Sequence, residues 1–174
     1  HTTGDFSIQS SLRFSPKACQ SGINALKKGA IILTDTAMAR EAVLPMASRT
    51  LATTVKCILD WSPPKVDKGI TRTGIGMIEA WKELSRQYEP SSSPIVLIGS
   101  SPTALEALLD LLYKGFQSPS LIIGMPVGFV GVLKSKNRLS NYNCSQIRLD
   151  GNRGGAAPAA SVVNALLRAS FINN

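Results

Sequence analysis

The sequence predicts a doubly wound α/β sandwich, three layers deep, with a mainly parallel sheet. Two observations carry this expectation. Short apolar runs rich in Ile, Val and Leu recur along the 174 residues, each followed by a turn-forming cluster and then by helical periodicity, which is the pattern of βα units. About five such strands, separated by helices, have to cross over right-handed and cover both faces of one sheet. The length suits a single domain, expected to span residues 1–174.

In chain order, Ala18 to Lys28 reads as a helix, Ala30 to Asp35 as a strand, and Thr36 to Ala42 as a helix with Thr36 in its first turn. Thr54 to Leu59 is the next strand, and the stretch from Gly69 to Arg86 holds a helix carrying Met77, Ile78, Trp81 and Leu84. The clearest unit follows. Pro94 to Gly99 is a buried strand, Ser101 stands at an N-cap, Pro102 at the first helical position, and Ala104 to Leu112 continues the helix. The unit recurs at Ser120 to Gly124 with a helix beginning near Val130, and again at Gln146 to Asp150 with an Ala-rich helix from Ala156 to Ala169. The proline-rich stretches at Trp61 to Lys65 and Glu89 to Pro94 are loops within the domain.

Nineteen Lys and Arg against eleven Asp and Glu leave a net charge of +8, which concentrates anionic ligands around the chain. A solvated basic surface has the same composition, so charge alone selects no partner. Nucleic acid is disfavoured, because no aromatic patch interleaves with the basic residues and no recognition motif appears. Cys19, Cys57 and Cys144 are odd in number and far apart, and are expected to be buried, reduced thiols in a cytoplasmic protein. The longest apolar stretch, Leu121 to Leu133, is interrupted by Gly124, Pro126, Gly128 and Gly131, so no membrane span is expected.

Ligands of open α/β sheets bind beyond the carboxyl ends of the strands, where helix N-termini present amides. Three such ends are glycine-rich: Gly99 to Ser101, Gly124 to Gly128, and Gly151 to Gly155. Each is expected to offer amides to an anion. None matches a dinucleotide fingerprint or a P-loop, and no serine stands in a GxSxG turn. With one histidine in the chain, a His-rich metal centre is excluded. His1 is left as the side chain whose ordinary pKa, about 6.5, makes it a ready proton donor near neutrality. Position alone reads it as a tag remnant. The chain opens on this residue rather than on Met and is expected to lack its native N-terminal segment.

Context reverses that reading. His1-Thr2-Thr3-Gly4-Asp5-Phe6, then Leu12 to Pro16, Gly29 to Asp35 with Met38, Thr71-Arg72-Thr73, Ile98-Gly99 with Pro102 to Leu105, the run Gly124 to Gly131 with Ser135-Lys136, and Arg153-Gly154-Gly155 follow one another in order. Together these blocks resemble the precorrin-8X methylmutase family, and the Gly-Met-Pro-Val-Gly-Phe-Val-Gly run is the most specific of them. The resemblance implies a flavodoxin-like sheet, a homodimer with active sites near the subunit interface, and a methyl migration on a corrinoid that needs no cofactor and no protein-bound metal. It carries His1 onto the catalytic histidine and Arg72 onto an active-site arginine. Thr73, Ser101, Thr103, Lys136 and Arg153 are the further candidates for binding the anionic corrinoid substrate and product. Ser100-Ser101 departs from the family's usual Asn-Ala, Asn152 replaces a common basic residue, and Ala156 a common serine. The rival expectation is a non-catalytic carrier of tetrapyrroles or other polyanions.

Overall fold

The computed structural model describes residues 2–172. Six strands and six α-helices alternate along the chain: β1 (Leu12–Phe14), α1 (Ala18–Lys27), β2 (Ile32–Thr34), α2 (Ala37–Arg49), β3 (Val55–Cys57), α3 (Arg72–Gln87), β4 (Ile95–Ile98), α4 (Pro102–Tyr113), β5 (Leu121–Gly124), α5 (Val132–Ser140), β6 (Gln146–Leu149) and α6 (Ala156–Ile172). The strands form one sheet in the order β1-β6-β5-β4-β2-β3. β2 to β6 are mutually parallel, and β1 runs antiparallel to β6 at the edge.

Strand periodicity divides the core. Ile32, Ile95, Leu97, Leu121, Ile123 and Ile147 face one side, where they pack with buried residues of α1, α2 and α6. Leu33, Val96, Ile98 and Ile122 face the other, under Met77, Trp81 and Leu84 of α3 and the leucines of α4. β4 is buried along its whole length, which accounts for its uninterrupted apolar sequence. The Trp81 indole is fully buried and donates its Nε1–H to Gln117 O at 3.1 Å.

The five parallel strands stand in the flavodoxin-like order, with β3, β2, β4, β5 and β6 side by side. The chain winds outward from β2 to β3, crosses back to β4 on the other side of β2, and continues outward. The winding therefore reverses between β2 and β4, and a crevice opens beyond their carboxyl ends.

Three expectations need correction. Leu12–Phe14 was not foreseen as a strand; it is three residues long and owes its conformation to the ladder with β6, a non-local partner. The helix expected to stop at Ala42 continues through Pro45 to Arg49. Pro45 faces solvent, while Ala39, Val43, Met46 and Ala47 are buried, so packing sustains the helix across the missing hydrogen bond. Of the three free cysteines only Cys57 is buried; Cys144 is half-buried and Cys19 exposed. Among the described residues no helix is long and apolar enough to cross a membrane.

Candidate active site at the carboxyl end of the sheet

The crevice between β2 and β4 is governed by Asp35, which directly follows β2 and is fully buried. Its Oδ2 accepts the amide hydrogens of Gly99, Ser100 and Ser101 at 3.1, 2.6 and 2.9 Å. Burial raises the pKa of this carboxyl, against the pull of the amides. The first of the glycine-rich strand ends thus presents its amides to the chain's own carboxylate, and the expectation that they face an external anion is corrected. The other two loops also turn amides inward: Gly128 N–H donates to Asn152 O at 3.1 Å and Gly155 N–H to Met125 O at 2.9 Å.

Three candidates come together here, with Arg72 beside them at the start of α3. Ser101 caps α4 by accepting the Ala104 amide at 3.2 Å, as its position predicts. Thr71 caps α3 by accepting the Gly74 amide at 3.0 Å. The two N-termini lie side by side and their hydroxyls form one network: Thr73 to Ser101 at 2.6 Å, Thr71 to Thr103 at 2.7 Å, and Ser101 to Thr103 at 3.0 Å. Arg72 is the first residue of α3 and is exposed. Its Nε–H donates to Pro63 O at 3.1 Å, and Ser62 Oγ–H donates to Arg72 O at 2.7 Å, so the loop after β3 aims the guanidinium. The remaining Nη donors suit a carboxylate in geometry and charge.

Lys136 and Arg153 lie beyond β5 and β6, and the structure gives each a partner within the fold. Lys136 is 2% exposed and donates to Gly151 O and Arg153 O, both at 2.7 Å. Burial draws its pKa down to about 8 from the ordinary 10.5, with Asp150 opposing. Arg153 forms an ion pair with Asp5 and donates to Ser7 Oγ at 2.9 Å. His1 lies outside the described residues. Thr2, the next residue, is hydrogen-bonded to Ser161 of α6. Thr2 borders an apolar pocket of about 140 Å³ with Ile8, Met125 and Pro158, and a groove of about 510 Å³ with Arg49 and Arg168.

Asp35, Thr71 and Asp5 were not singled out from the sequence. For Asp35 a signal existed, since an acidic residue ending a buried strand at a winding reversal has few partners other than nearby amides. For Asp5 none did. Phe129 and Val130 are 87% and 90% exposed on the rim beside this end of the sheet, and Met38 is exposed at the start of α2. Among the described residues no cluster of three or more His, Cys, Asp or Glu is placed to hold a metal.

A family model described as Precorrin-8X methylmutase matches residues 1–169. The chain belongs to the precorrin-8X methylmutase family. It is therefore a methylmutase of cobalamin biosynthesis, an isomerase that transfers a methyl group within one molecule. The methylmutase is 40% identical over 172 residues to "Precorrin-8X methylmutase" of Pseudomonas aeruginosa, covering 95% of this chain and 78% of that protein. It is 36% identical over 181 residues to "Cobalt-precorrin-8 methylmutase" of Synechocystis, covering 96% of this chain and 80% of the relative. Its fold superposes on the crystal structure of the precorrin-8X methylmutase from Thermus thermophilus with a TM-score of 0.86 and 32% identity, over 99% of this chain and 82% of the other. The α/β sheet expected of this methylmutase from sequence is thereby borne out.

Proposed function

We propose that the chain acts as one domain of a cytoplasmic homodimer and converts precorrin-8X, or its cobalt-bearing counterpart, to the corresponding corrin acid at the carboxyl end of this sheet. The observation that carries the reading is the joined hydroxyl network of Thr73, Ser101 and Thr103 on two adjacent helix N-termini, with Arg72 the exposed first residue of one of them. The substrate bears several carboxylates. A guanidinium fork beside hydroxyl donors suits them, and the charge of +8 enriches such a ligand around the protein.

A sigmatropic methyl migration requires no nucleophile from the protein. The chain has to hold the reactive isomer and bias its electrons. In this reading His1, as imidazolium, donates a proton or hydrogen bond to a ring nitrogen and draws electron density toward it, which lowers the barrier to migration. Arg72 anchors a carboxylate, and Thr73, Ser101 and Thr103 complete that contact. Side chains take the role first expected of the strand-end amides.

Replacing His1 by Ala tests the assignment. The expected result is a variant that still binds the corrin product tightly and no longer turns substrate over, followed by the absorption change as conjugation is interrupted. Unchanged turnover removes the proton-donor role.

A further inference from the structure

Among the described residues, Asp35 and Lys136 are the charged side chains that are buried. The role of Asp35 is local to the switch point, whereas Lys136 begins a chain of contacts that leaves α5 and ends near the first residues. Helical side chains lean toward the N-terminus of their helix, so Lys136 reaches back from the second turn of α5 to the loop between β6 and α6. Three consecutive carbonyls of that loop are turned inward: Gly151 O and Arg153 O accept from Lys136 Nζ, and Asn152 O accepts from the Gly128 amide. At Gly154, where φ is +159°, a Cβ would collide with Met125 O, so the loop is pressed against the end of β5 as well. Arg153 is left facing outward, with its guanidinium on Asp5 and Ser7.

The stretch Thr2 to Ser7 is exposed at every position. Apolar burial does not hold it, and its polar ties to the rest of the fold are Thr2 to Ser161 and Arg153 to Asp5 and Ser7. Asp5 also caps the 3-10 turn Phe6–Ser11 by accepting the Ser7 amide at 2.9 Å. The position of Asp5 and Ser7 within this stretch therefore depends on where the loop presents Arg153, while Thr2 has its own tie to α6. The charge on Lys136 is supported by Asp150, which itself pairs with Arg13 of β1 and Arg148 of β6.

We propose that Lys136 is a positioning residue for the reaction: by clamping two carbonyls of the β6–α6 loop, it sets Arg153 to anchor the exposed stretch that follows His1. This rests on the reading of His1 as proton donor, and it predicts effects on turnover by residues that need not touch the corrinoid.

The test is Lys136→Met, Arg153→Met and Asp5→Asn in the full chain, read by amide hydrogen exchange and by steady-state kinetics. In Lys136→Met, amides of residues 2–11 and 151–155 are expected to exchange about tenfold faster while those of β2, β4 and β5 keep their protection. In all three variants kcat is expected to fall about tenfold or more with KM changed less than about twofold, and the Lys136→Met/Arg153→Met double variant to lose no more than Arg153→Met. Asp5 is exposed, so Asp5→Asn decides the matter even if Lys136→Met does not fold. Wild-type exchange over residues 2–11 together with wild-type kcat in Asp5→Asn would overturn the proposal, whatever His1→Ala does. If the stretch loosens as expected but His1→Ala retains turnover, the anchoring stands and the proton-donor reading fails alone.

Discussion

At the scale of single residues, the switch point is closed by an internal carboxylate. An acceptor at the N-terminus of α4 is favourable, and Asp35 supplies it from the neighbouring strand end. Asp35→Ala leaves three amides at a buried site without their acceptor and is expected to cost about 3 kcal/mol or more, measured by urea unfolding. Lys136 carries a pH signature of defined sign. Its pKa in the folded chain is about 8, below the ordinary 10.5, so between these values the unfolded chain binds the extra proton and stability rises with pH. Relative to Lys136→Met, the wild type is expected to gain stability from about pH 8 to 10.5 and to hold a constant difference below that window, in urea melts across the range. Residue chemistry was legible in part. The Ser101 cap follows from its place before Pro102, whereas the pairing of Lys136 with Gly151 and Arg153 joins positions on different elements and has no trace in local pattern.

The elements show where local propensity yields to packing. Pro45 ends a helix by local rules, yet α2 passes through it because four apolar residues on the opposite side are buried. Pro45→Ala restores one backbone donor at an exposed position and is expected to stabilise the chain by about 1–2 kcal/mol, net of the extra freedom gained by the unfolded chain, as a raised urea midpoint. The β6–α6 loop is the reverse case, since no freedom is tolerated at Gly154. Gly154→Ala places a methyl group into Met125 O at a φ of +159° and is expected to cost about 3 kcal/mol, with loss of turnover as the loop shifts. Strands β2, β4 and β5 were readable because burial on both faces makes them largely continuous apolar runs flanked by turns, and β6 because Ile147 and Leu149 alternate with polar residues before a glycine-rich turn. β1 was not, because three residues carry too little periodicity to signal a strand.

Across the whole molecule, the basic excess and the topology serve the same end in the proposed function. A net charge of +8 favours anionic ligands in general, and the winding reversal provides a crevice beside the hydroxyl network. If long-range attraction contributes to capture, KM is expected to rise several-fold between about 0.01 and 0.5 M salt, over which the Debye length falls from about 30 Å to a few Å, while kcat changes little. Initial-rate measurements across that range check this. A KM insensitive to salt would confine recognition to short contacts at the site.

By itself the sequence determined the alternation of strands and helices, the Ser101 cap, the basic excess and the family, because each is written in residues close together along the chain or in motifs kept in a set order. Tertiary structure decided which groups are paired within the fold. Asp35 takes the amides of Gly99 to Ser101, Lys136 holds a loop instead of meeting solvent, and Arg153 turns to Asp5. The physical reason is that a buried charge or amide has to find a partner, and that partner is chosen by proximity in space, which follows from the order of strands in the sheet.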